Sequence, residues 1–204
     1  MPYAASMCAF LGVLFAYAQG DGSTVVFDTD ARKVLFPPHA YWLYRRSHGA
    51  DTSFTSNQHC VQLEYIQYND TFDMVTLDAR NHTKKDNWEP KMYRASVKES
   101  HEDILQYTPD EGEVETATVE YRVWHVVQNA CYVVEKMPSA GGISARSNEK
   151  ILKCELWVKK EKEVRHQRPS YSVESEEACS EAVKLLCSPL ELVYFQRLCD
   201  PILP

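Results

Sequence analysis

The sequence lacks the short motifs by which many enzymes are recognised. It contains no Gly-x-Ser-x-Gly, His-Glu-x-x-His, Gly-x-Gly-x-x-Gly or phosphate-binding loop, and it has only 7 glycines in 204 residues. Its 7 histidines are scattered without the spacing of metal ligands, and no two of its 7 cysteines form a Cys-x-x-Cys pair. These absences argue against an enzyme, and we predict neither a bound metal nor a cofactor.

Long apolar runs are also missing, apart from one near the N-terminus. Residues 7–18 form an apolar stretch that is too short for the roughly 20 residues of a membrane-spanning helix. The stretch ends in Ala16-Tyr17-Ala18, a small-x-small pattern, and no charged side chain precedes Asp21. We therefore predict a secretory signal peptide at residues 1–18, a secreted extracellular product, and a single domain at residues 19–204.

Basic residues are outnumbered by acidic ones. The chain has 22 Lys and Arg against 29 Asp and Glu, which gives a net charge of −7. Because phosphate backbones and anionic lipid surfaces are negatively charged, we expect neither nucleic acid nor a membrane as partner. The charge suits a cationic or neutral small molecule better, and we expect the protein to be a monomer.

Six cysteines are left once Cys8 departs with the signal peptide. They are Cys60, Cys131, Cys154, Cys179, Cys187 and Cys199. An even number in an exported chain indicates disulfides rather than zinc ligands, but six cysteines can pair in many ways and the residues alone do not choose between them. Sequons at Asn69 and Asn81 predict N-glycosylation at surface sites and agree with export.

The central part of the chain alternates apolar and polar residues in short segments, a pattern typical of antiparallel strands. Predicted strands cover residues 40–47, 59–69, 71–79, 91–100, 103–107, 113–128, 131–136 and 150–159. Eight strands are enough to close a barrel whose interior is filled by side chains or holds one small ligand. In the sixth strand, Val119, Tyr121, Val123 and Val127 share one parity and form the predicted apolar face.

Helical spacing replaces the alternation towards the C-terminus. We predict a helix that begins after Ser175 as N-cap and ends at Pro189, followed by a short strand at residues 190–196. Residues 24–35 predict a short helix that closes one end of the barrel. The expected fold class is therefore all-β: an eight-stranded antiparallel barrel with a C-terminal helix and a short N-terminal helix.

This plan resembles that of the lipocalins, and four short motifs narrow the resemblance to the tick salivary lipocalins of the histamine-binding group. That family has a spaced motif of Cys-Asp-aliphatic, then Glu-Leu-aromatic, then Cys, matched here by Cys131-Tyr132-Val133, Glu155-Leu156-Trp157 and Cys179. The other three motifs are Tyr41-Trp42-Leu43 in the first strand, residues 97–102, and the late Cys199-Asp200-Pro201. Together they cover nearly the whole mature chain.

The resemblance implies a disulfide pattern and a function. It implies the pairs Cys60–Cys199 and Cys131–Cys179, which leaves Cys154–Cys187. It also implies a salivary protein that is not an enzyme and that sequesters a small host mediator to suppress host defence during blood feeding. A biogenic amine such as histamine or serotonin is the leading ligand; the alternatives are a leukotriene, a fatty acid, cholesterol, or a host immune protein bound by the outer surface.

A pocket for such an amine needs a carboxylate for the ammonium and aromatic faces for the ring. Glu155 and Trp157 share one parity on the last barrel strand, so both can face the interior about 6 to 7 Å apart. By resemblance we assign these two residues to the pocket. Two structural alternatives stay open, in which Trp157 is simply a core residue and Glu155 pairs with Arg122 or Arg45.

Four further residues complete the predicted pocket. The resemblance places an acid and an aromatic residue at the barrel mouth, which correspond to Asp51 and Phe54. Trp42 in the first strand is included, although packing is the alternative role for it. Tyr132 stands where the family motif has Asp, so it removes one carboxylate and adds an aromatic wall.

Overall fold

The computed structural model describes residues 26–50, 54, 59–81, 91–110, 118–138, 152–161 and 171–199. The signal peptide predicted at residues 1–18 lies outside the described residues. The strands in these ranges are β1 (Ala40–Ser47), β2 (Val61–Asn69), β3 (Met74–Asn81), β4 (Lys91–Lys98), β5 (His101–Pro109), β6 (Val119–Val127), β7 (Cys131–Lys136), β8 (Glu155–Lys159) and β9 (Leu190–Leu192). The helices are α1 (Arg32–Leu35), α2 (Val173–Ala178), α3 (Ser180–Leu186) and α4 (Gln196–Cys199).

The first eight strands form a closed antiparallel barrel. Each strand from β2 to β7 pairs with the next one in the chain, and β1 pairs with both β8 and β2, which closes the sheet on itself. All eight predicted strands are present, and the eight-stranded antiparallel barrel with its C-terminal helix is confirmed. Closure pairs the strand edges that an open sheet would expose.

Strand β1 contains a bulge that divides it into two parts. The register with β8 shifts between Leu43 and Arg45, and the main-chain oxygen of Tyr44 accepts hydrogen bonds from the amides of Val193 (3.0 Å) and Tyr194 (3.3 Å). The first part of β1 pairs with β2, whereas its last part pairs with β9. The bulge matters for the site because it determines which side chains at the end of β1 face the interior.

A second bulge corrects one predicted face. The register between β6 and β7 shifts between Val123 and His125. As a result Val126 joins the barrel core, while Val127 packs against the cluster on the outer side. Val127 was therefore assigned to the wrong face, because a bulge inserts a residue and reverses the alternation after it.

The C-terminal helical segment begins and ends earlier than predicted. The N-cap is Ser172, whose hydroxyl accepts a hydrogen bond from the amide of Ser175 at 3.2 Å, so the prediction of Ser175 as N-cap is wrong. The helical segment is interrupted at Cys179, which lies between α2 and α3 and is joined to Cys131. The predicted final strand is limited to β9 and is followed by α4, and the N-terminal helix is limited to α1.

Two separate clusters of buried residues lie on the two sides of the barrel wall. The inner cluster fills the barrel and is rich in Tyr, Val and Leu. The outer cluster lies between the wall and the C-terminal segment, and it contains Trp42, Tyr44, Tyr194 and five of the six cysteines, with Cys187 packed against it. All three implied disulfides are present, Cys60–Cys199, Cys131–Cys179 and Cys154–Cys187.

Candidate functional site

Aromatic side chains dominate the interior of the barrel. Eight of them are almost completely buried in the inner cluster: Tyr41, Phe54, Tyr65, Tyr93, Tyr107, Tyr121, Tyr132 and Trp157. Seven of them come from seven different strands, because alternate residues of each strand point inwards, and Phe54 comes from the segment between β1 and β2. The interior is thus lined by flat π-faces, which suit another aromatic ring or a cation.

Three tyrosine hydroxyls meet inside this aromatic lining. The Tyr65 Oη lies 2.9 Å from the Tyr107 Oη and 3.5 Å from the Tyr132 Oη. Burial raises the pKa of Tyr65 to about 12, and burial also raises the pKa of Tyr107 and of Tyr132 well above its ordinary value. All three hydroxyls therefore stay protonated near neutral pH and offer donor and acceptor atoms inside an otherwise apolar space.

Phe54 inserts its ring among these aromatic residues. The ring stacks on Tyr121 with 5.7 Å between centroids and an interplanar angle of 5°. Its neighbours Tyr93, Tyr107 and Trp157 make edge-to-face contacts with centroid distances of 5.4, 5.0 and 6.3 Å. The interior therefore accommodates a flat ring by stacking on one side and by perpendicular contacts on others.

Glu155 and Trp157 both face the interior, as their shared parity predicts. Glu155 is 1% exposed, and its Oε2 accepts a hydrogen bond of 3.0 Å from the Trp157 indole nitrogen. Its negative charge also contributes to the raised pKa of Tyr107, after burial and the neighbouring Tyr65. The acid and the indole therefore form one unit, in which the hydrogen bond fixes the orientation of the carboxylate.

Neither of the two arginines considered as partners pairs with Glu155. The Arg122 Nε contacts Asp103 Oδ2 at 3.1 Å, and Arg45 contacts Glu176 Oε1 at 3.3 Å. Both of these ion pairs lie on the outer face of the barrel. The alternative in which Glu155 serves only to pair with Arg122 or Arg45 is therefore wrong.

A cleft of about 390 Å³ lies at the end of the barrel where β7 ends and β8 begins. Its lining residues are Gly49, Ala50, Glu135, Lys136, Met137, Pro138, Lys153 and Glu155. Glu155 thus belongs both to the aromatic interior and to the wall of this cleft.

Tyr132 occupies the central part of the interior. Its ring stacks on Trp157 with 6.0 Å between centroids and 10° between planes, and it meets Tyr41 edge-to-face at 4.9 Å. These contacts make it an aromatic wall, as expected from its replacement of the family's Asp. The charge that an Asp would bring to this position is absent, and a phenol takes its place.

Trp42 lies apart from the other predicted pocket residues. It points to the outer side of the barrel, where its ring packs against Tyr194 at 5.2 Å and the Lys160 Nζ lies 5.0 Å from its centroid. The cause is strand parity, since Tyr41 and Leu43 on either side of it face inwards. The structure therefore brings Glu155, Trp157, Tyr132 and Phe54 together, and it does not add Trp42 to them.

The remaining predicted sites are Asp51 and the two sequons. Asp51 lies outside the described residues. Asn69 is the exposed last residue of β2, and its Oδ1 accepts a hydrogen bond from the Thr71 amide at 3.1 Å. Asn81 is the last residue of β3, and its side chain lies outside the described part. Glycosylation at both positions stays a prediction.

Among the inward-facing residues with polar groups, Tyr65, Tyr107 and Arg46 were not singled out from the sequence. Parity alone could have identified the two tyrosines, since Tyr65 shares the face of Leu63 and Tyr107 shares that of Leu105. Arg46 could not be assigned in this way, because the bulge after Leu43 reverses its face. Among the described residues, no cluster of three or more His, Cys, Asp or Glu is arranged to hold a metal ion.

None of the helices in the described ranges has the length and apolar character needed to cross a membrane.

Comparison with solved structures gives distant similarities. Lobster apocrustacyanin A1 is 6% identical, with 76% of each chain covered and a TM-score of 0.49. Japanin from Rhipicephalus appendiculatus, solved bound to cholesterol, is 13% identical over 77% of this chain and 92% of that chain, with a TM-score of 0.46. Comparison with curated proteins gives no match.

The comparison with protein families is decisive. The family described as "Tick histamine binding protein" matches residues 27–201, which is most of the chain and all nine strands. The match spans both the inward-facing Glu155 and Trp157 and the six cysteines of the outer layer. The chain belongs to the tick histamine-binding protein family.

Proposed function

We propose that this protein is a secreted, non-enzymatic scavenger that binds a small amine-bearing host mediator, such as histamine or serotonin, inside its barrel. Removal of the mediator by stoichiometric binding would suppress the host defence during blood feeding. The observation that carries the proposal is the buried carboxylate of Glu155, which is hydrogen-bonded to Trp157 and borders an open cleft. The family match supports small-molecule binding.

The position of Glu155 supports a positively charged ligand. A carboxylate buried in an apolar lining is costly, and a ligand ammonium in contact with it would offset both the desolvation of the ligand and that of the acid. The indole of Trp157 and the ring of Tyr107 both lie near this carboxylate, so they are the aromatic groups available beside the proposed cation. An amine therefore gains a counter-ion and aromatic contacts at the same point.

The ring of the ligand would be held by the aromatic lining. The packing of Phe54 between Tyr121 and the edges of its neighbours demonstrates the contacts that this interior makes with a flat ring. The hydroxyls of Tyr65, Tyr107 and Tyr132 would supply hydrogen bonds to a ring nitrogen or hydroxyl of the ligand. Imidazole and hydroxyindole rings both have such groups.

Calorimetric titration of the disulfide-bonded mature protein with histamine, serotonin, a leukotriene and cholesterol tests the proposal. We expect an amine to bind, and Glu155→Gln to weaken its binding at least tenfold because the counter-ion is lost. Glu191→Gln is the matched control, since it removes an exposed carboxylate that pairs with His48 outside the barrel. An unchanged affinity in Glu155→Gln would exclude Glu155 from the site.

A hydrophobic ligand is the second candidate. It is favoured by the replacement of the family's Asp with Tyr132 and by the apolar character of the inner cluster, which leaves Glu155 as one of few charged groups in the described interior. In this case the leukotriene, a fatty acid or cholesterol would bind in the titration, no amine would bind, and Glu155→Gln would change the affinity little.

A further inference from the structure

Phe54 reaches the interior of the barrel from a different part of the chain than the other aromatic residues. The other seven rings of the inner lining stand on barrel strands, whereas Phe54 lies in the segment that joins β1 to β2. Its side chain is nevertheless only 1% exposed. Because Phe54 lies between the paired ranges of β1 and β2, its ring can leave the interior without breaking a hydrogen bond between those strands.

The ring of Phe54 takes up the aromatic contacts that the interior offers to a flat ligand. It stacks on Tyr121 at 5.7 Å, and the rings of Tyr93, Tyr107 and Trp157 lie perpendicular to it at 5.4, 5.0 and 6.3 Å. Protein interiors are close-packed, so a second ring cannot use the same faces and edges while Phe54 stays there. A ligand ring in this position therefore excludes the phenyl ring from it.

The position of Phe54 is also close to the proposed site of the ligand ammonium. Trp157, which contacts Phe54, donates its indole hydrogen bond to Glu155 Oε2 at 3.0 Å. In histamine and serotonin a short two-carbon arm separates the ammonium from the ring. An amine held beside Glu155 can therefore place its ring where the ring of Phe54 lies.

We infer that Phe54 is an intramolecular occupant of the ring subsite, and that a flat ligand ring binds by displacing the phenyl ring from its place between Tyr121 and Tyr107. This inference rests on the proposed function, since it concerns the same interior and adds that a side chain of the protein competes with the ligand. The phenyl ring has no polar atom. A ligand ring restores the aromatic contacts that Phe54 gives up, and it can also form hydrogen bonds with the tyrosine hydroxyls.

Calorimetric titration of the disulfide-bonded protein with serotonin and with indole tests the inference. Indole has a flat ring but no ammonium, so it reports on the ring subsite without the contribution of Glu155. Phe54→Ala is expected to bind both compounds at least tenfold more tightly than the unmodified protein, because the competing ring is gone. Phe54→Leu keeps part of the apolar bulk, so it should give intermediate affinities.

Trp42→Ala is the matched control. It removes a buried aromatic side chain from the outer cluster, where the ring packs against Tyr194, and it should leave both affinities within twofold of the unmodified protein. The opposite role for Phe54 is that of a wall that contacts the bound ring. In that case Phe54→Ala would lower both affinities, and this sign of the effect would overturn the inference.

The place of the ring during binding can be measured directly. With 4-fluorophenylalanine at position 54, the surrounding rings should shift the fluorine-19 resonance of the folded protein away from that of the unfolded protein. Saturation with serotonin or indole should move the resonance towards the unfolded value. A resonance that keeps its folded value while calorimetry shows the compound bound would overturn the inference. This measurement retains the bulk of the side chain, so it does not depend on whether Phe54→Ala folds.

The two compounds also separate this inference from the proposed function. If Phe54→Ala binds indole more tightly but neither protein binds serotonin or histamine, the displacement of Phe54 is supported and the amine proposal is contradicted. If the unmodified protein binds serotonin and Phe54→Ala does not bind it more tightly, the amine proposal stands and the inference is overturned. A lack of binding of serotonin, histamine and indole by both proteins at millimolar concentration would overturn both.

Discussion

The inner and outer clusters of this barrel are both rich in aromatic and apolar residues, yet they are held together in different ways. The outer cluster contains the disulfides, and its rings pack between the barrel wall and the C-terminal segment. The inner cluster contains no cysteine, but it contains tyrosine hydroxyls and lies beside the buried carboxylate of Glu155. The covalent bonds are thus concentrated where no ligand is proposed to bind.

The contrast between the two clusters suggests that the outer cluster mainly stabilises the fold, whereas the inner cluster provides the groups proposed to bind a ligand. Buried polar groups inside the barrel add little net stability, because each must be desolvated before it forms its hydrogen bonds. Disulfides stabilise by restricting the unfolded chain, and they do so without occupying the interior. A barrel that is stabilised by disulfides on its outer side can therefore tolerate polar groups in its interior, where they are available to hydrogen-bond a ligand. The predictions below test this separation.

Removal of the Cys60–Cys199 disulfide is expected to have the largest effect on stability. This bond spans 139 residues, and in the chain-entropy model its loss lowers the free energy of unfolding by about 5 kcal/mol. The Cys60→Ala, Cys199→Ala variant should show this loss in a guanidinium unfolding titration. Because neither residue belongs to the inner cluster, the ligand affinity of the folded variant should be unchanged. A tenfold loss of affinity would mean that the outer disulfide also supports the binding site, which would contradict the separation of the two clusters.

Truncation of Trp42 is the corresponding test for an aromatic residue of the outer cluster. Trp42→Ala removes the contacts with Tyr194 and Lys160 and should lower the free energy of unfolding by about 3 kcal/mol. Calorimetry on the folded variant should give a ligand affinity within twofold of the unmodified protein. A large change of ligand affinity without a change in the free energy of unfolding would show that Trp42 contributes to binding.

Alkaline titration probes the inner cluster alone and is expected to have the smallest effect. The pKa of Tyr65 is raised by burial to about 12, whereas an exposed tyrosine in the unfolded chain has a pKa of about 10. A raised pKa in the folded state contributes stability that is fully present below pH about 10 and is lost as the pH approaches 12. Absorbance of tyrosinate should therefore reveal buried tyrosines that ionise only above pH about 11, together with unfolding.

A contrary outcome of this titration would be just as informative. If all tyrosines ionised near pH 10 while the circular dichroism spectrum stayed native, the interior would be open to water. The outer tyrosines are not equivalent controls, because burial and the hydrogen bond with Tyr171 also raise the pKa of Tyr44. Tyr107→Phe is the better control, since it removes one ionising group and its hydrogen bond with Tyr65 from the interior.

Much of the barrel follows from local patterns in the sequence. The alternation of apolar and polar residues predicted the existence of all eight barrel strands, and two of them, β1 and β7, have the predicted bounds. The inward orientation of Glu155 and Trp157 follows from the same rule, since the short segment between them contains no bulge. The disulfide pairs came from the family resemblance and not from the residues alone.

The errors in the sequence prediction have two different physical causes. The bulge in β6 moved Val127 to the outer face, and the position of Ser172 before α2 displaced the predicted N-cap from Ser175. The N-cap error is a local choice between two serines three residues apart. The bulge depends on one residue of register, which is decided by hydrogen bonds to the neighbouring strand β7. A local pattern contains no information about these partners.

The sequence by itself therefore determined the strand count of the barrel and the placement of an acid and an indole on one face of β8, whereas the secretory character stays a prediction. Only the tertiary structure decided that the interior is lined by three converging tyrosine hydroxyls, that Trp42 lies outside, and that Arg46 faces Glu155. The physical reason is that alternation is a property of one strand, whereas closure of the barrel and the bulge in β1 depend on how separate strands pair across it.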